Sequence, residues 1–202
     1  MEALSGSLLE WGVATRALPG QSDSGDRHLV KPLPDGALLA AVDGLGHGRE
    51  AAVAADLAVR TVESHSGLPL IEIVERCHQS LLRTRGVALS LARWDATQRS
   101  VTWVGVGNVE GLLQQAEPGS RPGRERLLLR VGVVGVRLPV LQASRVAVPG
   151  AGLLIFTTDG IANGFDQLLD SRIRPQPLAD QILARHSKRT DDALVLVACF
   201  ER

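Results

Sequence analysis

The sequence predicts an α+β fold, an antiparallel sandwich rather than a Rossmann-like parallel sheet. Three observations predict it. Most apolar segments are short, bounded by Gly, Pro or Asp, and several are spaced as hairpins. Two helical patterns, Glu50–Ser64 and Pro69–Arg83, follow one another directly. After them the chain returns to strands instead of alternating strand and helix, as a doubly wound sheet would.

Each element has its own local reason. Leu8–Leu18 reads as a first strand, closed by the turn cluster Pro19–Gly25. A short segment, Arg27–Lys31, leads into the turn residues Pro32–Gly36. Ala37–Val42 is an apolar run bounded by glycine on both sides, the pattern of a strand covered on both faces. It ends in Asp43-Gly44-Leu45-Gly46-His47-Gly48, and an alanine-rich helix starts where the glycines stop. Pro69 suits the first turn of the second helix, whose Leu70, Ile73, Val74, Cys77 and Leu81 share one face. Val87–Trp94 and Ser100–Gly107 form a hairpin around Asp95–Gln98, and Val109–Gln114 continues the meander. Gln115–Arg126 reads as a polar, Pro- and Gly-containing loop with a solvated basic tip. Leu127–Val134 and Ser144–Val148 are further strands, and Gly152–Thr158 is a second buried one. Short helices are expected near Phe165–Asp170 and Pro177–Arg189, before a closing strand at Ala193–Phe200.

Composition narrows the function. A chain of 202 residues buries roughly two-thirds of its unfolded surface, so one domain over 1–202 needs no disulfide or structural metal to fold. Lys+Arg and Asp+Glu are 22 each, and a zero net charge disfavours nucleic acid or an anionic membrane as partner. Aromatics are 3%, too few for base-stacking platforms. Cys77 and Cys199 make neither a disulfide framework nor a zinc site, and a reducing compartment fits them. Glu2 and Glu10 with no basic n-region argue against a signal peptide, and no apolar run approaches about 18 residues. The expected location is cytoplasmic. Trp11, Trp94 and Trp103 are core candidates, while His28, His65, His78 and His186 lack ligand spacing and read as surface residues.

The chemistry lies in acidic positions at strand ends and in glycine-flanked turns: Ser24-Gly25-Asp26, Val42-Asp43-Gly44, Thr158-Asp159-Gly160 and Asp191-Asp192. A short carboxylate beside Gly lets backbone and ion approach closely, and hard cations such as Mg²⁺ and Mn²⁺ take oxygen ligands. Several carboxylates converging on one sheet edge would repel one another unless cations lay between them.

In this order, DGLGHG before a helix, TDG after a buried strand and TDDALVLV near the C-terminus resemble the metal-dependent PPM-type Ser/Thr phosphatases. Ser24-Gly25-Asp26 and the central VGVGN of Val104–Asn108 are similar to the compact bacterial branch of SpoIIE- and RsbX-like enzymes. The resemblance spans Leu8–Phe200. It implies an αββα sandwich, two packed antiparallel sheets flanked by helix pairs, with two Mn²⁺ or Mg²⁺ ions at one edge. It implies that Asp43 bridges both ions with the Gly44 carbonyl as a further ligand, that Asp26 holds one, and that Asp159 and Asp191 hold the other. Asp191 fits the pattern better than its neighbour Asp192. A metal-activated water would then hydrolyse phosphoserine or phosphothreonine without a covalent phosphoenzyme. The RsbX-like branch further implies a phosphorylated partner-switching protein as substrate, including STAS-domain components of the stressosome.

The chain departs from the larger members in two places. Their histidine position in DGHGG is Leu45 here, and His47 follows two residues later, either as a proton donor to the leaving alkoxide or as an exposed loop residue. Their phosphate-binding arginine is replaced by Ser22, and Arg27 would alternate to the other side of a strand. Asn108 reads as a turn former. Two other readings remain: a degenerate phosphatase fold that docks on a phosphoprotein without turnover, and a nucleotide-cradling glycine loop, which lacks the Lys-Ser/Thr of a P-loop.

Overall fold

The structure is a computed structural model that describes residues 9–115, 123–169 and 173–200. In chain order the elements are β1 (Leu9–Arg16), β2 (Asp26–Leu33), β3 (Gly36–Gly44), α1 (Arg49–Ser64), α2 (Leu70–Leu81), β4 (Val87–Asp95), β5 (Ser100–Val106) and β6 (Glu110–Gln115). There follow β7 (Gly123–Arg126), β8 (Leu129–Arg130), β9 (Ser144–Ala147), β10 (Gly152–Thr157), a 3₁₀ turn (Phe165–Leu168), α3 (Pro175–His186) and β11 (Ala193–Phe200).

The strands form two sheets, ordered β1-β11-β10-β6-β7 and β2-β3-β4-β5-β8, with β9 also paired to β5. The β3 run shows why they stack as they do. Its Ala37, Leu39 and Ala41 pack between the sheets, against Leu154, Phe156, Leu194 and Leu196 of the opposite sheet. Its Leu38, Ala40 and Val42 face outward and are covered by α1 and α2 through Ala54, Ala55, Ala58, Ile73 and Cys77. A strand with both faces covered has no reason to alternate polar and apolar residues, which accounts for the unbroken apolar run. The alanines of α1 keep that helix close to the sheet. A Cβ on Gly44 would stand only 2.2 Å from the Ala51 carbonyl oxygen. Cys77 is fully buried there, and burial pushes its thiol up to about 12. Trp94 and Trp103 are core residues as expected, whereas Trp11 is half-buried beside His28.

The far face of the five-stranded sheet differs from the expected helix pair. Among the described residues it carries α3 and the single 3₁₀ turn, with Phe165, Leu178 and Ile182 packed on Ile155, Val195 and Val197. Pro175, not Pro177, opens α3. The sheets are also not wholly antiparallel, because β8 runs parallel to β5 through Gly105↔Leu129 and Val106↔Arg130. The strand expected over Leu127–Val134 shrinks to two residues, since the chain leaves β5 and Val134 bridges Val87 instead. Part of the expected 115–126 loop is a strand, for β7 pairs with β6, while residues 116–122 lie outside the described residues. Of its described arginines, Arg124 binds Gln114 and Arg126 binds Glu110 and Asp166. Among the described residues no helix is long and apolar enough to cross a membrane.

Candidate active site

In antiparallel pairing the end of one strand lies beside the start of its neighbour, and this gathers the acidic motifs at one rim of the sandwich. Asp26, the first residue of β2, is the direct cross-strand partner of Asp43 near the end of β3. Asp159 follows the end of β10, and Asp191-Asp192 immediately precede β11, which pairs with β10. Asn108 lies in the connection between β5 and β6.

Hydrogen bonds stitch the two sheets together at this rim. Thr158 donates its hydroxyl to Asp26 Oδ2 at 2.7 Å and accepts the Leu194 backbone N–H at 2.9 Å. Both Asp192 oxygens are occupied by backbone, Oδ1 by the Leu18 N–H at 2.7 Å and Oδ2 by the Gly25 N–H at 2.6 Å. Asp192 therefore anchors the β1–β2 connection that carries Asp26. Asp191 is half-buried, and its Oδ1 accepts the Asp192 N–H at 2.9 Å. A Cβ on Gly160 would fall 1.9 Å from the Asp192 carbonyl oxygen, so glycine lets the Asp159 turn close on the Asp191-Asp192 turn. Arg27 binds Asp56 of α1 at 2.6 Å and also donates to the backbone carbonyls of Ser24 at 2.6 Å and Asp26 at 2.9 Å, so it braces the turn that carries Asp26 without pairing with a site carboxylate.

The electrostatics of the rim are those of crowded acids. Burial first, then the neighbouring Asp43, Asp192 and Asp159 charges, push Asp26 up to about 8, against the hydrogen bond from Thr158. Asp43 is pushed up to about 7 by burial and by Asp159, Asp191 and Asp192. Asp191 is raised by burial and by Asp159 and Asp192, while the nearby His47 favours its ionised form. Among the described residues no lysine or arginine forms an ion pair with any of these five aspartates. Lys188 reaches only the backbone carbonyl of Asp159, at 2.5 Å.

Asn108 occupies the middle. Its Nδ2 donates to Asp43 Oδ2 at 3.1 Å and to Asp159 Oδ2 at 2.7 Å, bridging carboxylates from opposite sheets. The turn reading of Asn108 is thus incomplete, since its amide holds two acids apart. No three His, Cys, Asp or Glu side chains among the described residues form a ready-made metal-holding group. The donor set nevertheless fits a hard divalent cation: several acceptor-only oxygens on separate strand ends, unneutralised by the protein, with amide hydrogens in the gap between two of them. Asp26, Asp43, Asp159 and Asp191 are the residues that could hold it, and the Gly44 carbonyl lies beside them at the end of β3. His47 is exposed in the same loop. Sequence reasoning missed Thr158 and Asn108, because a hydroxyl or amide next to a turn carries no spacing signal of its own.

Two expected results follow from this geometry. A carboxyl group whose folded pKa is raised binds its proton more tightly folded than unfolded, so between its unfolded value of 3.8 and the raised values stability falls as pH rises. The metal-free protein should therefore lose several degrees of Tm between pH about 5 and about 9, and saturating Mn²⁺ should remove that loss; thermal melts with chelator and with metal check both. Thr158→Val removes a donor that steadies the ionised Asp26 and should weaken Mn²⁺ affinity about 10- to 100-fold, with Thr158→Ser restoring it, as read by metal titration.

The comparisons with known proteins agree with this architecture. The family model described as Stage II sporulation protein E (SpoIIE) matches residues 34–201. The phosphoserine phosphatase RsbX of Bacillus subtilis (strain 168) is 32% identical over 94 residues, 46% of this chain and 47% of that protein, so the match spans about half of the curated relative's length. A solved chain described under "The bacterial stressosome: a modular system that has been adapted to control secondary messenger signaling" is 33% identical, with a TM-score of 0.86 over 94% of this chain and 98% of that one. RsbX in complex with magnesium superposes with a TM-score of 0.84 at 21% identity, covering 96% of each chain, and shares the fold. The sandwich is thus that of the PPM phosphatases, and the chain belongs to the SpoIIE family.

Proposed function

We propose that this chain is a single phosphatase domain over 1–202 that hydrolyses phosphoserine or phosphothreonine on a protein, with two Mn²⁺ or Mg²⁺ ions as cofactors. The observation that carries the reading is the meeting of Asp26, Asp43, Asp159 and Asp191 at one rim, where among the described residues no lysine or arginine forms an ion pair with them. Asp43 would contact both ions, joined by Asp26 and the Gly44 carbonyl for one and by Asp159 and Asp191 for the other. Such ions, when bound, activate water at neutral pH and offset charge on the phosphoryl oxygens.

The chain's own residues do the rest. Thr158 and Asp192 hold the Asp26 turn in register with the opposite sheet. Asn108 sets the separation of Asp43 and Asp159. His47, exposed in the loop and near Asp191, would protonate the departing serine or threonine alkoxide. Ser22 offers no positive charge, so positioning must draw on contacts with the protein substrate away from its phosphate. The name of the RsbX relative and the stressosome description of the other support phosphorylated partner-switching proteins, STAS-domain components among them, as substrates in a bacterial stress response.

The test is hydrolysis of p-nitrophenyl phosphate and of phosphoserine and phosphothreonine peptides, with Mn²⁺, with Mg²⁺ and with chelator. Turnover that requires the added ion is the expected result. Metal binding without turnover of any of these or of a phosphorylated STAS-domain protein would replace the enzyme with a docking module.

A further inference from the structure

Beside the glycine loop lies an open cleft of about 560 Å³ whose walls include Arg49, Arg83 and Arg85, with Val53 at its apolar side. Its position relative to the acidic rim is fixed by two contacts. The Leu45 N–H donates to the Gly86 carbonyl at 3.0 Å, so the segment ending α2's connection runs along the loop that starts at Asp43. Gly46, at φ +87, lies against Arg85: a Cβ there would stand 2.8 Å from Arg85 Nη1. Arg49 follows His47 by two residues at the start of α1.

The charge balance of the cleft is uneven. Arg85 binds Glu50 at 2.5 Å, which leaves two more arginines lining the same space. Arg49 and Arg83 are exposed, and among the described residues neither forms an ion pair. A chain with zero net charge thus sets a locally cationic cleft beside a locally anionic rim. Two guanidinium groups in a concave, partly apolar setting suit a carboxylate, which they can engage in forked hydrogen bonds.

From this we propose that the cleft docks an acidic side chain of the protein substrate next to its phosphorylated residue, and that Arg49 and Arg83 set specificity. This rests on the phosphatase reading above. The phosphate goes to the acidic rim and its ions; the flanking aspartate or glutamate goes to the arginines. Binding energy gained there positions the phosphoester without touching the reacting atoms. Neither arginine contacts the aspartates, so both are positioning residues for substrate and not part of the hydrolytic machinery.

The experiment compares phosphothreonine peptides carrying acidic, neutral or basic residues beside the phosphothreonine, with p-nitrophenyl phosphate as a substrate that has no flank. The proteins are wild type, the double variant Arg49→Ala/Arg83→Ala, and Arg83→Glu. Wild type should prefer the acidic peptide by about tenfold or more in kcat/KM, mostly through KM, and lose that preference at high salt. The double variant should treat all peptides alike while hydrolysing p-nitrophenyl phosphate as wild type does. Arg83→Glu should shift the preference toward the basic peptide. Wild-type turnover with no flank preference overturns the proposal, as does a double variant that loses all peptides in equal measure. Absence of metal-dependent turnover of p-nitrophenyl phosphate and of every peptide by wild type overturns the phosphatase reading and the substrate docking with it.

Discussion

Asp43→Ala should lower Mn²⁺-dependent turnover of p-nitrophenyl phosphate and phosphopeptides by at least about 10³-fold, a loss of about 4 kcal/mol of transition-state stabilisation. The reason is position. Asp43 pairs with Asp26 across β2 and β3, shares Asn108 with Asp159, and feels the charges of Asp159, Asp191 and Asp192. Its strand partner is Asp26 of the same sheet while its Asn108 bond links it to Asp159 of the other, so no neighbouring carboxylate can take over both links. The companion Asp43→Asn separates this role from folding. Removing a half-buried acid from a crowd of acids relieves repulsion, so the metal-free variant should melt at or above the wild-type Tm at pH about 8, while its metal-induced rise in Tm shrinks. A variant that retained both metal stabilisation and turnover would remove Asp43 from the centre.

The second large effect is on stability. Trp94→Ala should destabilise the protein by about 3–5 kcal/mol, measured by denaturant unfolding. Trp94 is 2% exposed and stacks on Phe200 with ring centroids 4.3 Å apart and planes within 15°. Because Trp94 belongs to β4 and Phe200 to β11, the stack joins the two sheets. Truncation leaves a cavity bounded by two rigid sheets that cannot collapse into it. Trp94→Phe is the informative control. The Trp94 indole N–H is buried without a hydrogen-bond partner, so replacing the indole by a phenyl ring forfeits no hydrogen bond and keeps the stack. It should cost well under half as much as the alanine variant, and an equal cost would show that the stack on Phe200 does not carry the stability.

How much of this was legible depended on how local each cause is. The β3 run, the face of α2 and the α1 start after the last glycine are decided by neighbours a few residues away, and periodicity reads them correctly. The site aspartates were legible as acids at strand ends beside turns, and the family resemblance of their motifs implied that they meet at one edge. The errors fall where distant parts of the chain compete. Val134 leaves the expected strand and bridges Val87 instead, and Gly123–Arg126 is a strand through its pairing with the edge of β6. The far face is covered by α3 and a 3₁₀ turn, a choice that rests on the space left over Ile155, Val195 and Val197.

Taken by itself, then, the sequence determined the fold class and the order of the main elements, because hydrophobic period and glycine turns are local physical facts, and the resemblance of its motifs implied which acidic residues would be neighbours. Only the tertiary structure decided how those acids are held. The Thr158 bond to Asp26, the capture of both Asp192 oxygens by backbone and the Asn108 amide between Asp43 and Asp159 each join residues from different motifs, mostly across the two sheets. The arginine cleft likewise exists only because the end of the α2 connection is folded against the glycine loop. Directional contacts between groups far apart in sequence leave no periodic trace in it, and they come into being only when the sheets close on each other.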